Sequence, residues 1–156
     1  MSKGLKRRTE KPKISEEKIK RDTHKCGTPK SAVFFGFEYM TSDSKYNFGH
    51  FKDWPKRNEA LKEWSDFLIR LSRFSWTELQ RQRKDQFGFE TLEKAQFKNS
   101  LFNTLRMKKD LADDTKMLVF RFGGQKYRMV GMKSNSCPAA IHVIGFDWDH
   151  SLYDHG

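Results

Sequence analysis

The sequence predicts an α+β fold: an antiparallel sheet, built from a C-terminal three-strand meander plus an N-terminal strand, with helices packed on one face. Two observations carry this. Three apolar runs, residues 117–122, 127–132 and 141–146, are separated only by short connections rich in Gly, Ser and Pro, and tight turns join antiparallel neighbours only. Between these runs and an aromatic run at 31–39 lies a long segment whose apolar residues recur at helical rather than alternating spacing.

Taken in order, residues 1–30 lack apolar periodicity and read as a basic disordered arm, with room for a helical turn or two over Ser15–Lys20. Residues 31–156 then form a single α+β domain. Ser31 to Tyr39 is short, apolar and aromatic, which favours a strand. Ser42 to Pro55 is polar and broken by Gly49 and Pro55, so it reads as a loop. Leu61, Trp64, Leu68 and Leu71 fall on one stripe just after Pro55, widened by Phe67, and predict a core-facing amphipathic helix. Ser75-Trp76-Thr77-Glu78 fits a capping box and starts a second, more polar helix, Trp76 to about Asp85, stopped by Gly88. Leu92, Phe97, Leu101 and Leu105 give a weaker helical stripe over 89–107, and Lys108 to Lys116 is a polar loop. Gly123-Gly124 turns the first hairpin of the meander, and Ser134 to Pro138 breaks the chain before the last strand.

Only 36% of residues are hydrophobic, but 14 Phe and 4 Trp compensate, because each buried ring removes a large apolar area from water. No apolar run approaches the roughly 18 residues that argue for a membrane span, and the first residues contain no apolar core of a secretory signal. Cys26 and Cys137 do not make a disulfide framework, so a cytosolic location is the default. The net charge is +11, of which +7 falls in residues 1–30. That concentration points to a polyanion, nucleic acid first, with no membrane partner. Lys6, Arg7 and Arg8 in the arm, with Arg81, Arg83 and Lys126 in the domain, are the candidate nucleic-acid contacts. A solvated tail that only aids solubility is the plain alternative.

The polar groups worth weighing crowd the meander's end: Arg121, Lys126, Arg128, then Asp147, Asp149, His150, Tyr153, Asp154 and His155. A zinc site from His24, Cys26, Cys137 and His142 lacks the spacing that zinc motifs show, and Cys137 before Pro138 reads as a turn residue. Asp147 and Asp149 would share a strand face and suit a hard cation such as Mg²⁺; polar residues also end strands without any chemistry. Metal-independent RNA cleavage needs a base for the 2′-hydroxyl, an acid for the leaving oxygen and cations for the phosphorane. Arg121 and Arg128 meet across a hairpin and fit the last role. His150 and His155 suit acid–base work, since imidazoles titrate near neutrality, and Tyr153 suits stacking or a proton relay. The structural alternative pairs both arginines with Asp147 and Asp149.

The order of these residues resembles a known pattern. Tyr127-Arg128-Met129-Val130, a turn, Ile141-His142-Val143-Ile144 and a polar segment ending in Tyr153 are similar to the C-terminal half of the RelE/ParE-like toxins. The likeness covers about 40 residues. It implies an endoribonuclease, a toxin or phage-defence effector, that cleaves RNA by 2′-hydroxyl attack without a cofactor and meets an antitoxin or other protein partner. Arg128 would match a phosphate-contacting arginine and Tyr153 the C-terminal tyrosine. Asp149-His150 stands where that family carries histidine and arginine, and an acidic residue there repels phosphate. The rival from another class is a non-catalytic nucleic-acid-binding or partner-binding module whose arm dominates.

Overall fold

In chain order the elements are β1 (Phe34–Gly36), α1 (Trp54–Leu71), α2 (Trp76–Arg81), β2 (Phe89–Glu93), α3 (Ser100–Asn103), β3 (Lys116–Phe122), β4 (Tyr127–Lys133) and β5 (Ala140–Asp147). They come from a computed structural model, which describes residues 25–106 and 110–155. Most of the basic arm, including Lys6, Arg7, Arg8 and the turns expected over Ser15–Lys20, lies outside the described residues.

The fold is α+β, and the three-strand meander is present within a residue or two of its expected bounds. Its five-stranded sheet has the order β1-β5-β4-β3-β2. β1 is the expected N-terminal strand, shortened to three residues and paired parallel to β5. A long crossover through the helices makes that parallel pairing possible. β2 was not expected. The segment read as a weak helical stripe instead starts with a strand antiparallel to β3, because pairing along an open strand edge overrides a marginal helical pattern. A single 3-10 turn at Lys94–Gln96 and the four-residue α3 are what remain of that helix. A bulge at Val130/Gly131 shifts the register between β4 and β5.

α1 behaves as its stripe predicts. Pro55 sits in its first turn, and Arg57 anchors the start by donating to the Phe51 carbonyl at 2.6 and 3.0 Å. Phe67 and Leu71 are buried, and the Phe67 ring stacks on Phe122 at 5.4 Å. The capping box of α2 forms in both directions, Ser75 Oγ accepting from the Glu78 N–H and the Glu78 carboxylate from that of Ser75. α2 ends at Arg81, earlier than expected, because the chain then folds back on itself. Gly88 packs so close to Gln82 that a Cβ there would lie 2.2 Å from the Gln82 carbonyl oxygen.

Both faces of the sheet are covered, which is why β3 to β5 read as continuous apolar runs. Leu118, Phe120, Phe122, Met129 and Phe146 face α1 and α2. Met117, Val119, Val130, Met132 and Ile144 face the other way, onto Leu101 of α3 and Leu152 and Tyr153 of the C-terminal tail. The helices therefore do not all share one face; α3 lies opposite α1.

The cysteine expectation is corrected. Cys26 and Cys137 are joined in a disulfide, with Cα atoms 5.5 Å apart across a sequence separation of 111. The bond ties the segment before β1 to the β4–β5 turn. Among the described residues no helix is long and apolar enough to cross a membrane.

Candidate active site at the hairpin end of the sheet

Register creates the site. Arg121 stands opposite Arg128 between β3 and β4, and Arg128 opposite Asp147 between β4 and β5. Two like charges facing each other are unfavourable unless each finds a partner. The turn supplies one: Gly123, Gly124 and Gln125 all adopt positive φ. This aims the Gln125 carbonyl at Arg128, whose Nη1 donates to it at 2.5 Å and to the Tyr127 carbonyl at 3.3 Å. Arg121 turns to the β2 edge, where Nη2 meets Glu90 at 3.3 Å.

Glu90 is a hub. Besides Arg121 it accepts from the Tyr153 hydroxyl at 3.2 Å and lies 3.5 Å from Lys84 Nζ. Burial pushes its carboxyl up, but the Arg121 guanidinium, the bonds from Arg121 and Tyr153, and Lys84 together hold it below its ordinary value. Tyr153 responds in the opposite sense: burial first, then the Glu90 charge, push its hydroxyl up to about 12.

The tail after β5 carries the imidazoles. His150 has φ 59°, a left-handed conformation uncommon outside glycine, and this bends the tail back over the hairpin. Its Nε2 lies 2.8 Å from the Lys126 carbonyl oxygen. His155 Nε2 lies 2.9 Å from Asp147 Oδ2, and the Asp147 side chain is 0% exposed against 22% for His155. The other Asp147 oxygen accepts from the Ser151 N–H at 2.9 Å. A carbonyl and a carboxylate only accept, so both imidazoles carry a proton on Nε2 and leave Nδ1 for chemistry. The two rings lie 4.8 Å apart, and the Tyr153 ring lies 4.0 Å from that of His155.

Arg121, Arg128, His150, Tyr153 and His155 are thus brought together, with two changes of role. Arg128 is only 6% exposed and holds the turn; it is not open to a phosphate. Tyr153 is buried beneath Phe97 and His155, so it offers no face for a base, and its high-lying hydroxyl keeps its proton at neutral pH. It positions His155. Lys126 contributes its carbonyl to His150, while its ammonium pairs with Glu59 at 3.0 Å. Arg83 pairs with Asp85 at 2.9 Å, and Arg81 is exposed on α2.

The metal expectations fare differently from the cluster. Both thiols of the zinc set are bonded to each other, His142 sits 3.1 Å from Glu38, and His24 lies outside the described residues. Asp147 and Asp149 do not share a strand face, because β5 ends at Asp147. Asp149 accepts instead from the Ser151 hydroxyl. Burial raises its carboxyl, but Ser151, Lys45 and His50 bring it below its ordinary value. Among the described residues no group of three His, Cys, Asp or Glu side chains is arranged to hold a metal ion.

Glu90 is the functional residue that the sequence reading missed. Its signal was Gly88 followed by Phe89-Glu90-Thr91-Leu92, an aromatic and a β-branched residue behind a breaker, which suits an edge strand. Comparison with protein-family models, curated proteins and solved structures finds no match to this chain.

Proposed function

We propose that this chain is a RelE-like endoribonuclease, acting as a toxin or phage-defence effector, that cleaves RNA by attack of the 2′-hydroxyl without a metal. The observation that carries it is the paired imidazoles: His155, oriented by the buried Asp147, beside His150, each with Nδ1 available. One takes the proton of the 2′-hydroxyl as the O–P bond forms, and the other delivers a proton to the departing 5′-oxygen. Asp147 fixes the tautomer and the orientation of the His155 ring. Arg121 and Lys126 are the candidate cations for charge on the phosphorane, each exchanging its carboxylate partner, Glu90 or Glu59, for the phosphate.

The test is cleavage of a single-stranded RNA in excess EDTA. His155→Ala should lower the rate by about 10²–10⁴-fold, with Asp147→Asn falling between it and the parent. Loss of parental activity on chelation, or full activity in His155→Ala, would overturn the assignment.

A second reading has its own observation. Arg121 and Arg128 are both engaged within the fold, as in a non-catalytic module that binds nucleic acid or a protein partner through its arm. Deleting residues 1–24 separates the two: the module loses RNA affinity outright, whereas the nuclease keeps turnover at high enzyme concentration.

A further inference from the structure

The two sulfurs of the Cys26–Cys137 bond stand in different surroundings. Cys26 is exposed, on a turn where Gly27 has φ 78° and a Cβ would meet nothing within 4 Å. Cys137 is buried in the β4–β5 turn, its N–H donated to Ser134 Oγ at 3.3 Å. The Thr28 hydroxyl lies 3.1 Å from Cys26 Sγ and 3.4 Å from Cys137 Sγ. Past Thr28 the chain joins the sheet through β1, three residues paired parallel to β5. The Phe34 N–H starts that pairing on the Ala139 carbonyl at 2.9 Å. The pairing is short and of the weaker, parallel kind, so the covalent bond is a principal tether of this edge.

We propose that Cys26 is a site of thiol–disulfide exchange with small thiols, and that its bond to Cys137 is a reversible latch on β1. Exchange requires a thiolate to reach one sulfur while the other departs, and Cys26 offers the open approach. The thiolate of a tripeptide thiol such as glutathione attacks Cys26 Sγ. A new S–S bond forms there, the Cys26–Cys137 bond breaks, and the electron pair leaves on Cys137 Sγ. The Thr28 hydroxyl donates to that departing thiolate and eases its release by stabilising the charge; a proton from water then completes the Cys137 thiol. A second thiol attacks the glutathione sulfur, departs with it as the oxidised dimer and returns Cys26 as a thiol. Two thiols thus supply the two electrons the protein gains, and the oxidised dimer closes the latch by the reverse steps. With the latch open, β1 can leave β5, uncovering Val33 and Phe35, whose ring meets Phe120 edge-on at 6.4 Å. β2 to β4 keep their pairing and their covered faces. The latch stands at the other end of β4 from the imidazoles and does not rest on the ribonuclease reading.

The test exposes the full oxidised chain to reduced glutathione without denaturant, traps free thiols with iodoacetamide and maps both cysteines by mass spectrometry. Glutathione should appear on Cys26 with Cys137 alkylated, at least about tenfold over the reverse pattern. Thr28→Val should slow the exchange several-fold while the oxidised form keeps its melting curve. Hydrogen exchange on the reduced chain, and on Cys26→Ser without any reductant, should show protection lost at Phe34 to Gly36 and kept through β3 and β4. Glutathione on Cys137 instead, or a bond that opens only in denaturant, would overturn the exchange site. Unchanged protection of β1 in Cys26→Ser would overturn the latch. So would loss of protection across β3 and β4 as well, which would make the bond a staple of the whole fold.

Discussion

The two faces of the sheet, taken at the same level of the hairpin, are built on opposite principles. On one face Phe122 and Tyr127 pair across β3 and β4 and continue into Trp148, an interlocked run of rings against α1. On the other, one residue along each strand, stand Arg121, Arg128 and Asp147. Alternation along a strand makes the contrast possible, since neighbouring residues point to opposite sides. What differs is the cover. A helix eighteen residues long closes the aromatic face, while a short tail closes the charged one and leaves His155 partly open to solvent. The first face is closed over by rings; the second holds its polar groups within hydrogen-bonding distance of one another.

The largest effect should come from the aromatic face. Phe120→Ala removes a fully buried ring and should cost about 3–5 kcal/mol in urea unfolding. On the charged face Arg128→Ala should cost about 1–3 kcal/mol, because it strands the carbonyls of Gln125 and Tyr127. A phosphate ligand would instead lose activity with stability intact, so this variant decides the role of Arg128. The smallest effect is a pH dependence. The folded state holds the Tyr153 proton more tightly than the unfolded chain does. That stabilisation is complete below the ordinary tyrosine value of about 10 and disappears as pH rises through about 12. Glu90 has the opposite sign: held below its ordinary value, it stabilises the fold above that value and stops doing so as pH falls through its own. Glu90→Gln should therefore flatten both the acid and the alkaline limbs of a stability–pH curve. Unchanged limbs would mean that Glu90 is not the hub.

The aromatic face was largely legible in the sequence. Leu61, Trp64, Leu68 and Leu71 mark α1, and Met117 to Phe122 marks β3, because burial writes itself into local periodicity. The charged face was legible only in part. Arg121 and Arg128 follow from hairpin register, and the tail histidines stand out by chemistry. The Asp147–His155 contact depends on a left-handed backbone at His150, which no local pattern announces. Glu90 was hidden because its strand exists only by pairing with β3. The Cys26–Cys137 bond joins positions with no local relation at all.

That bond also holds the start of the described residues against one end of the sheet. It fastens position 26 to the β4–β5 turn, and β4 runs from there to the imidazoles at its opposite end. Seven extended residues span roughly 23 Å. On the proposed ribonuclease reading, an RNA that touches both Lys25 and the imidazoles must span that length of the sheet, and a shorter fragment can touch only one of the two.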